Sequence, residues 1–183
     1  EGIPFVSAFD DYDVMAGNGG SLAVETAAQV GDEPVDWIVP VGGGGMAAGL
    51  AFWVKLQRPS DRVIGCQLKA SPALAMSLER GHAVTQLPVV ETVASGVEGG
   101  IGKLTFAVIR SRVDRVALVE EQEVKDATRW MLREHQYLIE PTAAVPLAAC
   151  LGGEVGKLNR RAVVVVSARN VSESTARSIL AAR

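Results

Sequence analysis

Short β-branched runs and helical stretches alternate through most of this chain, and that alternation admits few folds. Residues 35–41, VDWIVPV, read as a buried strand, and 46–57 after them as a helix. RVIGCQL at 62–68 is a second strand, and SPALAMSLERG at 71–81 a helix with Ser71 as N-cap, Pro72 in its first turn and Gly81 at its end. After an irregular stretch at 82–102, a helix at 103–111, the strand DRVALV and the amphipathic EEQEVKDATRWMLREHQY repeat the pattern. AAVPLAACLGG adds a short apolar helix, and RAVVVV at 161–166 reads as a central strand because its β-branched run is unbroken. SESTARSILAAR reads as the last helix. Upstream, IPFVS at 3–7 predicts a short strand, FDDYD a turn and SLAVETAAQV a helix ended by Gly31. Strand then helix, repeated, specifies an α/β fold: an open, mostly parallel twisted sheet with helices on both faces. Ligands of such sheets bind at the carboxyl ends of the strands. The glycines after 35–41 and the SARN turn after 161–166 share that rim.

A chain of 183 residues that is 48% hydrophobic supports a single α/β domain, 1–183, with a sizeable core. Its 18 basic and 21 acidic residues leave a net charge of -3. That balance argues against nucleic acid as a partner, which calls for a basic face. No apolar run reaches membrane-spanning length, so no membrane partner is expected. Neither Cys66 nor Cys150 has a CxxC neighbour, and both read as buried, reduced thiols of a cytoplasmic protein. No basic, apolar leader precedes the first strand. The first residue is Glu, so the sequence reads as part of a longer reading frame.

Four consecutive glycines, Gly42, Gly43, Gly44 and Gly45, separate the first long strand from its helix. Such a run bares several backbone N–H groups at a helix N-terminus, where the dipole adds about half a positive charge. An anion is the natural guest, and a phosphate group suits it best. The alternative is a tight turn with no ligand. A Walker loop would need Gly-Lys-Ser/Thr, which is absent. Gly43, Gly45 and Ala48 fit G-x-G-x-x-A, but a dinucleotide needs an acid at the end of the next strand, which here ends in Gln67, Leu68 and Lys69. Asp61 lies at that strand's wrong end. The remaining candidate is a single phosphate on a cofactor such as pyridoxal phosphate.

Several motifs in order narrow the choice. PFVSAFDDYDVMAGNGG resembles the segment PF-x-x-x-FDD-x-x-V-x-AGQGT, and VPVGGGGMAAG resembles a phosphate loop. ETVASGVEGGIGKLTF, YLIEPTAAVPLAA and VVVVSARNVS resemble the ADG, EP-(S/T)-(A/G)-A and SGGN stretches of the same proteins. The chain thus resembles, over nearly its whole length, the C-terminal part of the fold type II pyridoxal-phosphate enzymes, the threonine dehydratase and serine racemase group. The resemblance implies that Gly42, Gly43, Gly44, Gly45 and Met46 offer N–H groups to the cofactor phosphate. It implies that Gly96 and Glu140 lie beside the ring and that Ser167 bonds the pyridine nitrogen. Glu140 also reads as a carboxylate capping the helix that starts at Pro141. A neutral hydroxyl at Ser167 leaves the ring a weaker electron sink than an Asp would, a setting that goes with β-elimination in this family.

The departures matter too. Ala168 and Arg169 replace the glycines of SGGN, and Arg169 either crowds the cofactor or turns outward. Ser95 replaces the acid of ADG. QLKASPA carries no carboxylates where some relatives hold a divalent ion, so no metal site is expected. The family's Schiff-base lysine lies upstream in an S-x-K context, and Lys55, Lys69, Lys103, Lys125 and Lys157 match no such context. No catalytic residue is therefore assigned within the chain. The resemblance implies a parent ammonia-lyase that converts a small β-hydroxy amino acid, serine or threonine, to a 2-oxo acid and ammonia. Its partners would be that substrate, the missing N-terminal portion and further copies in a homo-oligomer. An amino-acid racemase, a non-catalytic phosphate- or pyridoxal-phosphate-binding module and a dinucleotide-binding domain are the alternatives.

Overall fold

The computed structural model describes residues 2–158 and 160–181. The alternation does build a parallel sheet. Strands β1 (Val35–Pro40), β2 (Arg62–Leu68), β3 (Arg115–Val119) and β4 (Arg161–Val164) lie in the order β3-β2-β1-β4. Ile38 faces Ile64 on one side and Val164 on the other. Successive residues of a strand point to opposite faces. Accordingly Trp37 and Val39 of β1 pack on one side and Ile38 on the other.

The first face is covered by α1 (Tyr12–Met15), α2 (Ser21–Val30), α3 (Gly45–Gln57) and α5 (Lys103–Ile109). A single π-helical turn, Ala16–Gly20, joins α1 to α2 without a break. The second face is covered by α6 (Glu121–His135) and α7 (Pro141–Leu151), and α8 (Glu173–Ala181) rests on α6. The helix read to the C-terminus extends beyond the described residues at 182–183. The connections β1–β2 and β2–β3 run on the first face and β3–β4 on the second. The strand order turns back from β3 to β4 beyond β1, so crossovers of one hand place helices on both faces.

Local chemistry explains the ends of these elements. Asp11 Oδ1 accepts from the N–H groups of Asp13 and Val14, so part of FDDYD is the capped start of a helix rather than a turn. Glu120 and Glu123 form a capping box at α6. The helix α4 (Ala73–Arg80) ends at Gly81 as read, but Ser71 does not cap it. Its first N–H groups, from Leu74 and Ala75, donate to Oε1 of the buried Gln67, which in turn donates to the Val41 carbonyl. The Ser71 hydroxyl instead accepts from Gly99 N–H, from the long irregular stretch.

Residues 3–7 form no strand. Ile3 and Phe5 are 89% and 92% exposed, and among the described residues no strand pairs with them to take up their backbone groups. The apolar run at 161–166 is strand only over Arg161–Val164 and stands at the sheet edge, not its centre. A β-branched run suits either position, and only the neighbours decide which one it takes.

At the amino ends of the strands, buried Asp61 accepts from Val35 N–H, from Trp37 Nε1 at 2.8 Å and from Arg58. Buried Asp36 is held by both nitrogens of a fork from Arg62. These pairs lock the rim opposite the glycine loop.

Candidate functional site

At the carboxyl end of β1 the chain turns through the glycines into α3. The φ of Gly44, +95°, is left-handed, so the turn can be made there only at a strain cost by any other residue. The neighbouring glycines answer to the protein itself. A Cβ on Gly42 would meet the Gly96 carbonyl, and one on Gly43 would enter the ring of Phe9. The back of the loop is thus packed against Phe9 and the 95–97 turn. Thr105 Oγ1 donates to the Gly43 carbonyl at 2.8 Å, and Asp10 accepts from the first N–H groups of α5, so the helix beside the loop is held as well.

The front is unspent. Among the described residues no acceptor takes the N–H of Gly42, Gly43, Gly44, Gly45, Met46 or Ala47. These donors open on a cavity of about 190 Å³. Gly42 to Met46, Gly96 and Ser167 all line it, so three separate motifs converge there. Ala8, Phe9, Asn18 and Thr142 line it too, and sequence reasoning assigned them no role. Their signal was present, since Phe9 and Asn18 lie in the FDDYDVMAGNGG stretch and Thr142 in EPTAA. What was missing was the tertiary contact that brings these stretches to one rim.

No charged side chain lines the cavity among the described residues. An anion there would be held by neutral N–H groups and the α3 dipole, as at other helix N-termini. The donor set therefore fits a phosphate, and the hydroxyl of Ser167, which lines the same cavity, is of a kind that fits a ring nitrogen. The volume is below the roughly 300–1,000 Å³ of complete small-molecule sites. A larger groove of about 500 Å³, bounded by Tyr12, Met15, Phe52, Trp53 and Val108, is apolar and has nothing to hold an anion.

Glu140 lies outside the cavity lining. It makes no side-chain cap to α7 either. Its Oε2 accepts from Asn170 N–H at 3.1 Å, and its own N–H donates to the Ala168 carbonyl. Arg169 turns away from the cavity: its guanidinium stacks 4.8 Å from the Tyr137 ring centre, and its Nε donates to the Leu138 carbonyl. No lysine lines the cavity among the described residues. Lys55 pairs with Asp114, Lys69 with Glu120 and Lys125 with Glu121. Among the described residues there is no group of three or more His, Cys, Asp or Glu side chains able to hold a metal ion, and no helix is long and apolar enough to cross a membrane.

Known proteins are similar to this chain in sequence and fold. The family described as pyridoxal-phosphate dependent enzyme matches residues 1–168. The chain is 39% identical over 177 residues to an L-threonine ammonia-lyase of Geobacter sulfurreducens, covering 95% of this chain and 43% of that protein. It is 42% identical over 139 residues to the serine racemase of Rattus norvegicus, covering 75% and 41%. Among solved structures, the serine racemase from Dictyostelium discoideum superposes with a TM-score of 0.82 at 30% identity, over 91% of this chain and 53% of that one. The processed form of threonine deaminase isoform 2 from Solanum lycopersicum gives 0.88 at 29% identity, over 98% and 50%. The chain spans about half the length of the curated relatives it matches.

Proposed function

The chain belongs to the pyridoxal-phosphate dependent enzyme family, and we propose that it is the cofactor-cradling part of an ammonia-lyase acting on serine or threonine. The observation that carries this reading is the row of unspent N–H groups from Gly42 to Ala47 on a cavity that Ser167 also lines. In the proposed site Gly42, Gly43, Gly44, Gly45 and Met46 hold the cofactor phosphate. Gly96 passes close to the ring, where any side chain would intrude. Ser167 bonds the pyridine nitrogen as a neutral partner. Glu140 acts beside the site by holding the Ser167 turn. When bound, pyridoxal phosphate supplies the electron sink that acidifies the substrate Cα–H.

The proton at Cα has to be taken by a base, and among the described residues no lysine lines the cavity. In the proposal that base comes from the rest of the intact protein, which also supplies the opposite wall and the substrate-carboxylate site. Loss of hydroxide from Cβ and hydrolysis then yield a 2-oxo acid and ammonia. Relatives named threonine ammonia-lyase and threonine dehydratase support this reaction. Racemisation begins with the same proton loss, and the 42% identity to a serine racemase favours it as the second reading. The exposed edge of β4 and the apolar groove support burial against the companion portion or another copy.

Adding serine or threonine to the intact protein loaded with pyridoxal phosphate tests this. Release of a 2-oxo acid with ammonia is expected. D-amino acid without ammonia would leave the racemase. For the 183-residue chain alone, reversible binding without a borohydride-fixed lysine adduct is expected. A single lysine adduct with deamination would mean that a base lies within the chain after all.

A further inference from the structure

The walls of the cavity are carried by two turns distant in sequence, 95–97 and 167–170, and both are tied to the first turn of α7. Resting on the reading above, we propose that α7 sets the spacing of the cofactor site: Thr142 is the positioning residue for the Gly96 turn and Glu140 for the Ser167 turn. Gly96 N–H donates to Thr142 Oγ1 at 3.1 Å. A Cβ on Gly96 would come within 2.8 Å of Thr142 Cγ2, so methyl and hydroxyl together fix where that backbone runs. On the other side Glu140 N–H donates to the Ala168 carbonyl, Asn170 N–H donates to Glu140 Oε2, and Arg169 Nε donates to the Leu138 carbonyl. Residues 138–140 and 168–170 are thus laced together just beyond Ser167.

These anchors are rigid. Ala143, Ala144, Val145 and Ala148 of α7 are at most 1% exposed and pack on the sheet, and close-packed interiors transmit displacement rather than absorb it. On the Ser167 side, Ser167, Arg169 and Asn170 are exposed. The 95–97 turn is closed by Val97 N–H to the Ala94 carbonyl and seated by buried Ala94 and Val97, and the exposed Gly96 between them is the part that Thr142 holds. The Thr142 hydroxyl accepts from Gly96, so its proton remains, and among the described residues it finds no acceptor. It lies on the cavity wall, free to donate to a polar atom of the guest. Neither residue is assigned a proton-transfer role.

The experiment uses the intact protein that carries this chain. Thr142→Val keeps the shape and removes the hydroxyl; Thr142→Ser restores it. Glu140→Ala and Glu140→Gln form the second pair. Pyridoxal-phosphate affinity, inorganic-phosphate affinity and amide exchange over 94–98 and 167–170 are measured on each. Losing one such solvent-exposed hydrogen bond corresponds to roughly a two- to tenfold loss of affinity. Thr142→Val is expected to lose about that much pyridoxal-phosphate affinity and to exchange faster at 94–98, with inorganic phosphate unaffected and Ser rescuing both. Glu140→Ala is expected to speed exchange at 167–170, and Gln to restore most of it. Parent-like exchange in Thr142→Val and Glu140→Ala would overturn the proposal, as would an equal loss of inorganic phosphate, which marks a general collapse of the site. If the parent itself fails to bind pyridoxal phosphate, the functional reading falls. The exchange rates then still decide whether α7 holds the two turns.

Discussion

Gly44, at φ +95°, lies in the glycine turn that lines the cavity, the proposed phosphate cradle. A β-branched residue at that angle costs about 1–3 kcal/mol in backbone strain, and its side chain would crowd Thr105 and Ile101. Gly44→Val is therefore expected to abolish phosphate binding, read by titration calorimetry with inorganic phosphate. Undiminished affinity would show that these N–H groups are not the cradle. The two cysteines behave differently from reactive thiols. Burial pushes Cys150 up to about 11 and Cys66 further still. Neither is expected to take up iodoacetamide at neutral pH in the folded protein, checked by intact mass, and Cys150 should react only as the pH approaches about 11. The glycine run was legible because four such residues in a row have few other uses. That Phe9 and Gly96 demand two of them was not, because both contacts join segments remote in sequence.

Residues 82–102, read as irregular, are nearly so, with a single 3-10 turn at 95–97, yet they are pinned at intervals. Ser77 accepts from Val84 N–H, Ser71 from Gly99 N–H, and Ile101 N–H donates to the Val84 carbonyl. Glu121 accepts from the Thr92 hydroxyl and Val93 N–H and pairs with Lys125. Burial alone would raise the Glu121 carboxyl, but these partners together outweigh it and hold it below its ordinary value. A lowered folded-state value stabilises the loop above the ordinary glutamate range near about 4.3, and the contribution is lost as the pH falls through the lower, folded value. Protection of the 92–97 amides, measured relative to their intrinsic exchange rates, should fall below about pH 4, and Glu121→Ala should show that lower protection already at neutral pH. Protection that does not change with pH would refute the assignment. Gln67 is the helix cap that the sequence hid, because a side chain from β2 replaces the expected Ser71. Gln67→Met should lower stability by about 1–3 kcal/mol by stranding buried donors, measured by urea unfolding.

At the scale of the whole molecule, β4 pairs with β1 on one side and with no strand on the other among the described residues. Phe52, Tyr12 and Val24 border an open apolar groove. Unpaired edges and apolar grooves favour association. The chain alone is expected to sediment as concentration-dependent oligomers, and the intact protein as a defined species. A chain that stays monomeric at high concentration would argue that these surfaces need no cover.

By itself the sequence determined the α/β class, the parallel sheet, the glycine loop at a strand's carboxyl end and the motifs that converge on it. Each of these is written in local periodicity or in residue types with few physical alternatives. Tertiary structure alone decided that 161–164 is an edge strand, that 3–7 is no strand, that Gln67 caps α4, that Arg169 turns onto Tyr137, and that Thr142 bonds to Gly96 and Glu140 to Ala168 and Asn170. These depend on which neighbour satisfies a backbone group or fills a space. Such neighbours come from chain segments tens of residues away, so no local pattern records them.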